Sequence, residues 1–188
     1  MEKTVSKMQE VINSAECLYS FTDIEMALDN MAEAITEKLK DQNPLIICVM
    51  IGALIPTGHL LTRLNFPLEV DYIHATRYRG ETRGGDLHWL VEPRQSLKGR
   101  TILIVDDVMD AGLTLAAIID YCKQMGANVV YTAVMVNKER KREPGVNFEP
   151  DFNGLFVSED KFLVGFGLDY NEYLRNLPGI YAVADEHQ

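Results

Sequence analysis

TILIVDDVMDAGLTLAAII, Thr101 to Ile119, concentrates three carboxylates at one short turn. Four apolar residues, Ile102 to Val105, lead straight into Asp106 and Asp107, and Asp110 follows. An uninterrupted apolar run of this length suits a strand buried on both faces, as in a parallel sheet. Beyond the acids come Gly112 and Thr114, and then Leu115, Ile118, Ile119, Cys122 and Met125 on one helix face. Gly126 is a natural C-terminal stop for that helix. The stretch therefore reads as strand, acidic turn, helix.

In open α/β sheets ligands gather at the carboxyl ends of the strands. Residues 106–114 occupy such an end, just before a helix whose free amides and dipole favour an anion. Gly112 lets the backbone approach closely, and Thr114 adds a hydroxyl donor. Asp106 and Asp107 repel an anion, so they must face hydrogen-bond donors or a cation. A sugar phosphate satisfies both halves, its phosphate in the amides and its vicinal hydroxyls on the carboxylates. The plainer alternative is that the acids only cap the helix and solvate a loop.

Outward from this turn, PLIICVMIGA from Pro44 reads as a second buried strand and LIPTGHLLTRL as a helix. LEVDYIH and ANVVYTAVMV read as further strands. Strands alternating with helices imply right-handed crossovers and an α/β fold, an open, mainly parallel sheet flanked by helices. Ile24, Leu28, Met31, Ile35 and Leu39 follow helical spacing over about 23–40, and Thr22 to Glu25 has the form of a capping box. The polar, glycine-rich ATRYRGETRGGDLHWLVEPRQSLKGR reads as a long functional loop, a lid.

The 188 residues suit one domain with a sizeable core, and 47% hydrophobic with 24% charged is ordinary for a globular chain. A formal net charge of −10 argues against general nucleic-acid affinity. No apolar run reaches the roughly 18 residues of a membrane helix, and the polar N-terminus is unlike a secretory signal. A cytoplasmic protein is expected. Cys17, Cys48 and Cys122 are odd in number and set among apolar residues, so buried free thiols are expected. The four histidines have no metal-ligand spacing. Walker A and dinucleotide-binding fingerprints are absent. An acid pair ending an apolar strand also occurs in phospho-acceptor receiver domains, but there near the first strand.

ILIVDDVMDAGLTL resembles the phosphoribosyl-pyrophosphate (PRPP) signature of type I phosphoribosyltransferases. PDFNGLFVSEDKFLVGFGLDYNEYLRNLPGIYAV resembles the purine-binding hood of the hypoxanthine-guanine branch, and the likeness covers about residues 20 to 185. The resemblance implies one domain over 1–188, with a core at about 40–140 and a hood from about 1–25 and 145–188. It implies Mg²⁺-dependent transfer of the phosphoribosyl group of PRPP to N9 of hypoxanthine or guanine. The products would be IMP or GMP and pyrophosphate, made by a homodimer or homotetramer with no nucleic-acid or membrane partner. A nucleotide-sensing regulator on the same scaffold is the rival reading.

By the same resemblance, Asp106 and Asp107 bind the ribose hydroxyls, and Asp110, Ala111, Gly112, Leu113 and Thr114 cradle the 5′-phosphate. Asp110 matches the general base near purine N7, which is chemically sensible because N9 becomes a better nucleophile as the ring sheds a proton. Lys138 matches the donor to purine O6, Phe162 the ring stacked on the base, and Leu163 the backbone reader of its pyrimidine edge. Ordinary core packing competes for the last two. Met50, Ile51 and Gly52 match a pyrophosphate loop exposed by a cis peptide. Arg142 and Arg175 match basic residues around the pyrophosphate, Asp169 a magnesium carboxylate, and Arg77 and Tyr78 the start of the lid. Three departures stand out. Ile51 replaces a frequent lysine, Ala53 a second glycine, and Ala111 a hydroxyl whose bond to a phosphate contributes roughly 1.5–3 kcal/mol.

Overall fold

The computed structural model describes residues 2–77, 87–158 and 161–187. Tyr78 and the side chain of Arg77, the two lid candidates, lie outside the described residues. In chain order the elements are α1 (Glu2–Ser14), β1 (Glu16–Tyr19), α2 (Phe21–Leu39), β2 (Leu45–Met50) and α3 (Leu54–Leu61). Next come β3 (Glu69–Arg77), β4 (Leu87–Val91), β5 (Thr101–Met109), α4 (Leu113–Gln124) and β6 (Val129–Lys138). β7 (Phe152–Val157), β8 (Leu163–Val164) and β9 (Ile180–Ala182) complete the strands.

Six strands form one sheet in the order β4-β3-β2-β5-β6-β7, and a three-stranded sheet runs β1-β9-β8. Within the larger sheet only β4 is antiparallel, pairing along β3 at one edge. The buried run of β5 explains its central place. Leu103 and Val105 enter the core under α2 and α3, while Ile102 and Ile104 enter the core under α4. Both faces are thus covered by helices, as a parallel sheet requires. A third cluster, Met8, Val11, Val164, Tyr170, Leu174 and Val183, packs α1 against the smaller sheet.

Local details differ from the sequence reading in four places. The α2 capping box is Ser20 with Asp23, two residues before the expected Thr22 and Glu25. The earlier start lets Phe21 pack edge-on against His59, and Glu25 turns to Arg63 at 3.4 Å. The long polar loop contains edge strand β4, whose Trp89 stacks on Tyr121 of α4. β7 joins the larger sheet beside β6, so the core sheet continues past residue 140 into the stretch expected as hood. Cys48 and Cys122 are buried, but Cys17 is exposed, because β1 is an edge strand of the small sheet. Gly126 does stop α4. Its φ of +85° and the amide bonds Gly126 to Lys123 (3.0 Å) and Ala127 to Cys122 (3.0 Å) form a Schellman closure.

Among the described residues, no helix is long and apolar enough to cross a membrane.

Candidate functional site

The chain leaves β2 toward β3 on one side and β5 toward β6 on the other, so the strand order reverses between β2 and β5. The crevice at such a switch point, beyond the carboxyl ends of the strands, is where open α/β sheets bind ligands. Here it is a cleft of about 660 Å³. Met50, Ile51 and Gly52 line it from the end of β2, Asp106 to Thr114 from the end of β5, and Glu172 and Arg175 from the C-terminal segment.

Asp106 is buried, and Asp107 is partly so. Burial, followed by the neighbouring Asp107 charge, pushes the Asp106 carboxyl well above its ordinary range. Burial also raises Asp107, although its bond with Asp106 and the charge of Arg175 pull it back. Two crowded carboxylates with little water are costly unless donors or a cation reach them. Opposite them Gly52 leaves no room. A Cβ there would lie 2.0 Å from Asp107 Oδ2. The peptide bond between Met50 and Ile51 is cis.

The other half of the cleft is a helix start. Gly112 starts α4 with a φ of +83°, and no side chain caps the helix. A Cβ on Gly112 would meet Met109 Cε at 2.7 Å and Val146 Cγ1 at 2.9 Å, so both conformation and space require glycine. The first-turn amides of an uncapped helix are orphan donors.

Arg175 ties the cleft to the smaller sheet. It donates to Asp169 at 2.7 Å, to Glu172 at 3.1 Å and to the Gly167 carbonyl at 2.8 Å. The second oxygen of Asp169 accepts the Glu172 amide at 2.8 Å. Tyr170 and Tyr173 exchange two backbone bonds around Asn171 and Glu172, both at positive φ, as a two-residue hairpin turn demands. Gly167 packs so closely on the Gly52 carbonyl that a Cβ would lie 2.1 Å from it.

Asp110 faces two cations, Arg140 at 2.8 Å and Lys138 at 4.0 Å. Lys138 is buried at the end of β6. Phe162 is half exposed and meets Tyr170 edge-on at 5.9 Å, whereas the Leu163 side chain belongs to the core. Arg142, expected beside the pyrophosphate, is turned to protein groups. Its guanidinium donates to the carbonyls of Asp110 (2.9 Å), Lys138 (2.8 Å) and Met109 (3.3 Å), and to Asn137 Oδ1. It also forms a two-pronged pair with Glu149 at 3.1 and 2.8 Å. A guanidinium has five N–H donors, and these partners occupy them.

His74, Leu90 and Glu172 line the cleft without having been singled out from sequence. For His74 the available signal was its place at the end of a parallel strand. For Glu172 it was the D-Y-N-E run. Arg140 was visible only as part of a basic cluster.

A family model described as phosphoribosyl transferase domain matches residues 14–171. A hypoxanthine-guanine-xanthine phosphoribosyltransferase of Tritrichomonas foetus is 31% identical over 163 residues, 87% of this chain and 88% of that one. A hypoxanthine-guanine phosphoribosyltransferase of Lactococcus lactis is 30% identical over 187 residues, 99% of this chain and 97% of that one. A solved hypoxanthine-guanine-xanthine phosphoribosyltransferase superposes with a TM-score of 0.83 at 28% identity, covering 92% of this chain and 99% of its own. With an acid pair and an uncapped helix start sharing the switch-point cleft, these likenesses establish that the chain belongs to the phosphoribosyl transferase domain family, in its hypoxanthine-guanine branch.

Proposed function

We propose that the protein transfers the phosphoribosyl group of PRPP to N9 of hypoxanthine or guanine, releasing pyrophosphate and IMP or GMP in cytoplasmic purine salvage. One observation carries this reading: a desolvated acid pair and an uncapped, glycine-opened helix start line the same cleft. The ribose 2′- and 3′-hydroxyls donate to Asp106 and Asp107 and offset the hydration that burial removed. The amides of Ala111 to Thr114, with the Thr114 hydroxyl, hold the 5′-phosphate.

Asp110 takes the purine N7 proton, so that N9 attacks ribose C1′ as pyrophosphate leaves. Lys138 donates to O6, Phe162 stacks on the ring, and the Leu163 backbone reads its edge. The Met50–Gly52 backbone and Arg175 hold the pyrophosphate. Arg142 braces the loops instead of touching substrate. Arg77 and Tyr78 begin a lid that excludes water from an oxocarbenium-like centre.

Magnesium works through one or two carboxylates plus substrate oxygens, and Asp169 fits that donor set. Each of its oxygens makes one described contact and keeps a further lone pair. Held there with PRPP, the ion would supply charge stabilisation to the pyrophosphate group. A homodimer or homotetramer is the working form on this reading, which sedimentation would check.

The test is incubation with PRPP, Mg²⁺ and a panel of purines, following pyrophosphate release. Guanine and hypoxanthine should turn over. Adenine should not, because its amino group gives Lys138 no acceptor. Silence with every purine overturns the reading, and adenine turnover equal to guanine overturns the role of Lys138.

A further inference from the structure

Resting on that reading, we infer that Arg140 is a substrate-binding residue, which exchanges Asp110 for the 5′-phosphate when the site fills. The cradle Asp110-Ala-Gly-Leu-Thr114 contains no cation of its own, and Ala111 brings no hydroxyl. A phosphate monoester brings up to two negative charges to this spot. Arg142 is committed to carbonyls, Asn137 and Glu149. Arg175 serves the opposite wall, with Asp169 and Glu172. Lys138 and Arg140 are the described cations on the cradle itself, and Lys138 is the buried one.

The position of Arg140 is fixed by its loop. The Glu143 amide donates to the Ala111 carbonyl at 3.2 Å, and Arg142 donates to the Asp110 carbonyl at 2.9 Å. Both contacts stitch residues 138–143 onto the cradle. From there the Arg140 guanidinium reaches Asp110 Oδ1 at 2.8 Å. Its side chain is 37% exposed and that of Asp110 42%. Such half-exposed pairs are weak and readily exchanged. A phosphate presents more charge and more acceptor oxygens to the same planar fork than one carboxylate does. Moving the fork to the phosphate also uncovers the Asp110 oxygen that the purine proton must reach.

The test compares binding of GMP and of guanosine to the full-length protein by titration calorimetry, using the parent, R140A, R140K and D110N. R140A should weaken GMP by about tenfold, one charge-assisted contact's worth, and leave guanosine unchanged, while R140K recovers part of the loss. D110N should bind GMP as tightly as the parent or tighter, and that gain should vanish in the D110N/R140A double variant. Equal GMP affinity for parent and R140A overturns the inference and leaves the transferase reading standing. So does equal weakening of GMP and guanosine, which marks Arg140 as merely structural. If the parent binds neither GMP nor PRPP, the transferase reading itself fails.

Discussion

Replacing Gly52 by alanine tests the site where its geometry is tightest. The new methyl carbon would stand 2.0 Å from Asp107 Oδ2 and 2.5 Å from Asp107 Cγ. A carbon–oxygen contact needs about 3.3 Å, so the carboxylate must retreat by more than about 1 Å. Asp107 is held by the Val108 amide at 2.9 Å, and Gly167 closes the other side of the Gly52 carbonyl. Neither partner can yield without moving a proposed ribose ligand or the pyrophosphate loop. A misplacement of about 1 Å costs on the order of 100-fold in rate, while overpacking costs about 1–3 kcal/mol of stability. Pyrophosphate release with guanine and PRPP should therefore fall about 100-fold in G52A, in a protein that still unfolds cooperatively in urea. Gly58 is the internal control. Nothing lies within 4 Å of a Cβ there, and it sits inside α3. G58A should keep full activity and gain about 0.5–1 kcal/mol. Activity of G52A within about threefold of the parent, against the expected two orders of magnitude, would refute the assignment of Asp107 and this loop to the reacting sugar.

Asp110→Asn should lower turnover by roughly 10²–10⁴-fold while PRPP still binds in a calorimetric titration; equal loss of binding and rate would make Asp110 structural. Asp106→Asn should abolish transfer yet raise the melting temperature of the ligand-free protein near neutral pH. A carboxyl whose folded pKa stands above its ordinary 3.8 holds more protons folded than unfolded. Its contribution is therefore favourable in acid and is lost as pH rises through the folded value. The advantage of the variant should shrink toward pH about 4, and a lower melting point than the parent at neutral pH would contradict the argument. Asp71→Ala should cost about 2–3 kcal/mol in urea unfolding. It strips the acceptor from the amides of Tyr72 (2.9 Å), Arg94 (2.7 Å) and Gln95 (2.8 Å), which anchor the chain after β4 to β3. A loss below about 0.5 kcal/mol would show those amides find other partners.

The central strands were legible because burial on both faces leaves an unbroken apolar run, as at Ile102 to Val105, and the acids that end it mark the strand end that lines the cleft. The cleft's two halves followed from charge and backbone chemistry alone. Tertiary context decided the rest. Ser20 and Thr22 both begin plausible capping boxes, and the choice rests on where Phe21 packs. β4 is itself an apolar run, LHWLV, but it is only five residues long and lies inside a polar, glycine-rich stretch that reads as loop. Cys17 has apolar neighbours in sequence but lies on an edge strand. Arg142 and Arg140 stand two residues apart in one basic run, and only the fold separates the brace from the cation beside the cradle.

That brace has a mechanical consequence. One guanidinium fastens the carbonyl of Lys138 to the carbonyls of Met109 and Asp110. The side chain proposed to choose the purine and the side chain proposed to deprotonate it therefore ride on a single rigid bracket. A lysine in place of Arg142 would offer three donors and no planar fork, and the selector and the proton acceptor would then drift independently.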